Sequence, residues 1–230
     1  MLIWYLRSGK IVLKAKMRKK IKENIEKLIN FDRDLLNDYE ILCGIDEAGR
    51  GPLAGPVVAA AVILDYNNLP EMLGDSKQLN ESERELAHDQ IVEKSVAYGI
   101  GIVEAEEIDR INILKATFLA MKKAKDQLNI NTPVYLIDGR DKPFHDVEQI
   151  AIVKGDSKSA AISAASILAK VTRDRIMVTL GKTFPEYNFE KNKGYGTKEH
   201  IEVIKKIGKS ISHRKSFKLD FEKEEQLKLF

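Results

Sequence analysis

Residues 44–58 read Gly44-Ile45-Asp46-Glu47-Ala48-Gly49-Arg50-Gly51-Pro52-Leu53-Ala54-Gly55-Pro56-Val57-Val58, and the fold of the whole chain turns on how this stretch is understood. An apolar run, Ile41–Ile45, leads into Asp46. Gly49-Arg50-Gly51-Pro52 supplies turn chemistry, and Val57–Leu64 is a second, β-branched run. Two such runs around a glycine–proline turn predict a hairpin or close antiparallel neighbours. The stretch resembles a phosphate-binding loop only superficially, because that loop needs Gly-x4-Gly-Lys-Ser/Thr. Here arginine stands for the lysine and Gly51 for the metal-binding hydroxyl, and Asp46 and Glu47 put negative charge where phosphates would lie.

The two acids carry the chemical signal. Burying a carboxylate without a cation or strong donors is unfavourable, and no basic residue neighbours Asp46 or Glu47 within its own run. Successive strand residues face opposite ways, so both acids reach one cation only where the chain bends. The glycines at 49 and 51 allow such a bend. Two further acids close apolar runs: Val134–Ile137 stops at Asp138-Gly139, and Val147–Val153 stops at Gly155-Asp156. Taken singly, Asp138 reads as a turn residue and Asp156 as a helix cap. Taken together, carboxylates converging from several strand ends form an oxygen-only site suited to Mg²⁺ or Mn²⁺. One cysteine and four histidines argue against a zinc site.

Working outward, Asn80 with Glu83 forms a capping box ahead of a helix over 81–94, and Val96–Val103 reads as a third strand. Apolar spacing predicts one long helix over Ile108–Leu128 and another over about Ala160–Leu180, the latter rich in Ala and Ser. Pro185–Gly196 reads as a loop and Thr197–Ile207 as the last helix. Strands followed by strand–helix alternation give an α/β fold with a mixed central sheet flanked by helices. Residues 1–40 form a basic helical extension, with Ile21, Ile25, Leu28, Ile29, Leu35 and Leu36 at helical spacing. Residues 1–16 do not continue that pattern, and Met17 is an alternative start. The body spans 41–217, and 218–230 form a tail.

In 230 residues the hydrophobic share is 43%, the charged share 32% and the net charge +3, so charge balance alone names no partner. Cys43, alone of its kind, excludes an intrachain disulfide and reads as a core thiol. No apolar run is long enough to span a bilayer, and positive charges follow the first apolar residues, the reverse of a signal peptide. A cytoplasmic monomer is the expectation.

The block Gly44–Val58 resembles the type 2 ribonuclease H family. The resemblance continues through Asp75-Ser76-Lys77-Gln78-Leu79, Asn112-Ile113-Leu114-Lys115-Ala116, Ile137-Asp138-Gly139 and Lys154-Gly155-Asp156-Ser157. It runs on through Ala164–Asp174, Gly194-Tyr195-Gly196-Thr197 and His213-Arg214-Lys215-Ser216-Phe217. It implies a ribonuclease H-like fold in which Asp46, Glu47, Asp138 and Asp156 bind two divalent cations and cut RNA, or single ribonucleotides, paired to DNA. Asp174 competes for the fourth place. If residues 156–174 are mostly helical, these two acids lie roughly 27 Å apart and cannot share a cluster, which selects Asp156.

By the same resemblance Gly49, Arg50 and Gly51 approach the ribose and its phosphate. Glycine suits that place because it lets the main chain come close. Tyr195 resembles a tyrosine that stacks on the deoxyribose following the ribonucleotide, and Lys77 contacts phosphate. The last residues, Gln226-Leu227-Lys228-Leu229-Phe230, resemble a peptide that docks on bacterial sliding clamps, with Gln226, Leu227, Leu229 and Phe230 as its contacts. The basic N-terminal helix either adds phosphate contacts or simply covers part of the fold. Two other readings stand beside the leading one. The first is a type 3 ribonuclease H, which usually carries a larger N-terminal domain than residues 1–40 provide. The second is a non-catalytic hybrid-binding module, which the acidic set argues against.

Overall fold

The computed structural model describes residues 22–74, 79–130 and 134–219. Helix α1 covers residues 22–35. Strands β1 (Leu42–Ala48) and β2 (Val57–Leu64) follow, then α2 (Glu81–Lys94), β3 (Ser95–Val103), α3 (Ala105–Ile111) and α4 (Ile113–Lys125). Next come β4 (Val134–Asp138), β5 (Gln149–Ile152), α5 (Ala160–Thr183), α6 (Phe189–Asn192) and α7 (Lys198–Ile207). The five strands form one sheet in the order β3-β2-β1-β4-β5. The β1–β2 connection is too short for a parallel crossover, so that pair is antiparallel, whereas β1–β4 and β4–β5 are parallel. The mixed sheet with helices is the expected α/β architecture.

The chain divides into two compact units. Among the described residues, 22–46, 62–74, 79–97, 130 and 134–167 make the first; 47–61, 98–129 and 168–219 make the second. In the first, Leu42, Val134, Leu136, Ile152 and Ile162 form a core against which Phe31, Leu35, Leu36 and Tyr39 pack. Asp32 of α1 is fully buried; it accepts the Ala161 N–H at 2.9 Å and the Tyr66 hydroxyl at 2.7 Å. Burial raises its pKa, opposed by hydrogen bonds from Ser159, Tyr66 and the first amides of α5. The start of α5 is set by Ser159, whose hydroxyl accepts from Ile162 N, so Asp156 is not its cap. At Gly44 the strand runs so close to α5 that a Cβ would lie 2.1 Å from the Ala161 carbonyl carbon. The Ala and Ser residues of α5 allow that approach.

In the second unit Ala54, Met177, Tyr187, Phe189, Ile204 and Leu219 form the core. Gly99 and Gly101 let β3 lie against the α4 backbone, where a Cβ would meet the carbonyls of Ala124 and Ala120. The long helix expected over Ile108–Leu128 is broken at Asn112. That residue takes φ 69° and caps α4 by accepting from Lys115 N at 3.1 Å. Asparagine tolerates the left-handed region and so ends one helix while starting the next. The expected loop 185–196 holds a 3-10 turn at Pro185–Tyr187 and the short α6. The capping box at Asn80 and Glu83 is present as expected.

Candidate active site

The acids of the first unit stand at strand ends. Parallel pairing of β1 with β4 runs Leu42 with Val134, Cys43 with Tyr135, Gly44 with Leu136 and Ile45 with Ile137. One step further along the same register are Asp46, two residues before the end of β1, and Asp138, the last residue of β4. Asp46 is 5% exposed. Asp138 pairs in register with Ile152 of β5, and its Oδ1 accepts the Gly155 N–H at 2.6 Å. That bond ties β4 to the 3-10 turn Gly155–Ser157, which carries Asp156. Register and turn therefore place Asp46, Asp138 and Asp156 in one unit at one end of its strands.

Glu47 departs from this arrangement. β1 runs on through Glu47 to Ala48, and the bend comes only at Gly49, whose φ is +94°. Adjacent strand residues alternate faces, and the Glu47 carboxylate meets Arg50 Nη1 at 3.3 Å in the second unit. Among the described residues, no three His, Cys, Asp or Glu side chains are gathered closely enough to hold a metal ion. Like charges at one strand edge repel, and both Glu47 and Asp138 have taken donors. The donor set of the first unit is all oxygen, which fits a hard divalent cation and no softer one. Asp174, the rejected candidate, pairs with Lys170 at 2.7 Å along α5.

In the second unit the turn after Glu47 is held by two buried arginines that the sequence reading passed over. Arg214, 0% exposed, spends every guanidinium nitrogen on loop carbonyls. Nη2 donates to Gly49 O at 2.6 Å and Gly55 O at 2.9 Å. Nη1 donates to Arg50 O at 2.9 Å and Pro52 O at 2.8 Å, and Nε to Gly55 O at 3.0 Å. Burial, then the charge of Arg173, pushes the Arg214 pKa down to about 9, which leaves it charged at neutral pH. Arg173 donates to the carbonyls of Pro56, Ala54 and Lys193 and fills the space that a Cβ on Gly49 would need. The closeness at Gly49 thus serves Arg173. A Cβ on Gly51 would have Tyr195 as its nearest neighbour, at 4.0 Å.

Helical spacing from Ala169 and Met177 put Arg173 on the buried face of α5, a readable signal. Arg214 lay within the block His213–Phe217, but nothing local gave it a role.

Tyr195 is 46% exposed, an open platform as expected, with the Arg173 guanidinium 5.9 Å from its ring centre. Its backbone is fixed by a histidine pair. Ser210 N–H donates to His213 Nδ1, which leaves the proton on Nε2. His213 Nε2 then donates to His200 Nε2 at 3.0 Å, and His200 Nδ1 donates to Tyr195 O at 2.8 Å. Burial lowers both histidines, His213 to about 4. Lys77 and the peptide 226–230 lie outside the described residues. No helix among the described residues is long and apolar enough to cross a membrane.

Comparison with known proteins identifies the family. The Ribonuclease HII family profile matches residues 43–223. A ribonuclease HII of Caldicellulosiruptor bescii is 50% identical over 193 residues, 84% of this chain and 94% of that one. The ribonuclease H2 of Pyrococcus horikoshii OT3 superposes with a TM-score of 0.66 at 27% identity, over 82% of this chain and 98% of that one. The ribonuclease HII in the PCNA:RNase HII complex from Archaeoglobus fulgidus gives a TM-score of 0.63 at 26% identity, over 78% and 96%. This chain belongs to the ribonuclease HII family: it is a ribonuclease H enzyme, an endonuclease of RNA–DNA hybrids.

Proposed function

We propose that the chain cuts the RNA strand of hybrids, and also cuts 5′ of single ribonucleotides embedded in duplex DNA, leaving 5′-phosphate and 3′-hydroxyl ends. The reading assigns Asp46, Glu47, Asp138 and Asp156 to hold two cations, Mn²⁺ or Mg²⁺. Such a pair, when bound, supplies a water of lowered pKa and neutralises charge at the scissile phosphate. The observation that carries the proposal is Asp46 set beside Asp138 by the β1–β4 register. Glu47 enters the set by resemblance.

The rest of the work falls to the chain's own groups. Gly49, Arg50 and Gly51 approach the 2′-hydroxyl, the group separating RNA from DNA. Tyr195 offers an exposed ring for stacking, and Lys77 contacts phosphate. Removal of ribonucleotides and RNA primers is the role this chemistry serves. Residues Gln226, Leu227, Leu229 and Phe230 are assigned to a sliding clamp, supported by the relative whose structure is a complex with PCNA. Deleting 226–230 should abolish clamp pull-down and leave cleavage intact; retained capture sinks that assignment.

Asp138→Asn is the decisive substitution. Asparagine keeps an oxygen to accept the Gly155 N–H, so the turn survives while the charge is lost. Cleavage of a duplex bearing one ribonucleotide should vanish in both Mn²⁺ and Mg²⁺ while binding persists. Near-normal turnover refutes the assignment.

A further inference from the structure

Arg214 directs four different carbonyls of the segment 49–55 toward one buried guanidinium. The trans peptide plane sets C=O and the following N–H antiparallel. Drawing the carbonyls of Gly49 and Arg50 inward therefore turns the N–H groups of Arg50 and Gly51 outward, and both residues are exposed. The guanidinium itself is held by its own segment. Arg214 N donates to Leu53 O, and Gly55 N donates to Ser212 O. Asp109 of α3 accepts from Lys215 N at 2.7 Å and Ser216 N at 2.8 Å, just beyond Arg214. A planar fork with five donors meets this arrangement of oxygens; a lysine ammonium cannot.

We propose that Arg214 is the positioning residue for ribose selectivity: its hold on the Gly49 and Arg50 carbonyls presents the Arg50 and Gly51 amides to the ribonucleotide. The inference rests on the reading that Gly49-Arg50-Gly51 approaches the ribose. Arg214 never touches the substrate. It acts through the loop.

The test measures two affinities in the Asp138→Asn background, so that neither chain cuts: one for a duplex with a single ribonucleotide, one for the all-DNA duplex. Arg214→Lys should lower the ratio of the two about tenfold, as expected for one oriented donor lost, with all-DNA binding within about twofold of the parent. A merely structural role would lower Tm and leave the ratio unchanged, and that result overturns the proposal. Asp109→Ala, at a half-buried position outside the loop, is the second variant. If Arg214→Lys does not fold, the ratio in Asp109→Ala decides, falling on this proposal and unmoved against it. Amide ¹⁵N shifts of Arg50 and Gly51 in the parent test the underlying reading separately. Shifts with the ribonucleotide duplex but not with all-DNA sustain it. Their absence brings down that reading and this inference with it, whereas shifts together with an unmoved ratio overturn the role of Arg214 alone.

Discussion

Gly44→Ala adds a single methyl group where strand and helix meet backbone to backbone. The new Cβ would lie 2.1 Å from the Ala161 carbonyl carbon and 2.3 Å from Ala161 O and Ile162 N. An ordinary contact begins near 3.4 Å, so β1 and α5 must part by about 1.3 Å. Main chain on both sides has no rotamer to relieve the clash. The penalty then sits at the top of the overpacking range, about 3 kcal/mol. For a chain of this size that lowers Tm by roughly 6–12 °C. The same displacement moves Asp46, two residues on, relative to its neighbours. A misplacement near 1 Å costs on the order of 100-fold in rate, so cleavage should fall that far at temperatures where the variant is folded. A thermal scan, a urea titration and a single-ribonucleotide cleavage assay read the three effects. Gly51→Ala is the stability control: its Cβ has no neighbour nearer than 4.0 Å and should change stability by less than about 0.5 kcal/mol. If Gly44→Ala melts within 2 °C of the parent, by the scale of about 2–4 °C per kcal/mol, and cuts normally, the account of β1 against α5 is wrong.

The remaining predictions concern the second unit. His213 is held near pKa 4 by burial, then by His200 and Lys209, against about 6.5 in the unfolded chain. The fold binds fewer protons than the unfolded chain between those values, so stability is full above about pH 6.5 and is lost as pH falls toward 4. The whole shift is worth about 3 kcal/mol, and solvent screening reduces it to roughly 2 kcal/mol. Urea titrations at several pH values should show a shallower acid loss in His213→Gln; an unchanged slope refutes the histidine's part. Tyr195→Ala should leave Tm within a degree or two, since the ring is 46% exposed, and should weaken binding by about 1–3 kcal/mol if the ring stacks on the nucleic acid. Unaltered affinity would remove the stacking role.

Much of this molecule was readable from local pattern. The hairpin around Gly49–Pro56, the capping box at Asn80 and Glu83, and the strand that ends on Asp138 follow from side-chain period and turn chemistry, which act over a few residues. The break at Asn112 was missed because apolar spacing continues across it, while the backbone there turns left-handed to suit a cap. The extension of β1 through Glu47 was missed because the apolar run ends at Asp46, whereas the bend does come at the glycines, at Gly49. Arg214 lay further from reach, since the partners of its guanidinium stand 159 and more residues away. A lone arginine in a sequence is ordinarily solvated, and only a folded chain can surround it with carbonyls.

The family blocks identified the enzyme family, and the carboxylates that follow apolar runs led to the expectation of a divalent-cation site, because a buried carboxylate needs a cation or strong donors. Only the tertiary structure decided that Asp46 stands beside Asp138 while Glu47 turns to Arg50. It also decided that buried guanidinium groups, more than glycine alone, shape the loop after Glu47. Register and long-range hydrogen bonds are pairings between distant segments, and a one-dimensional pattern carries no record of which distant segment will be the partner.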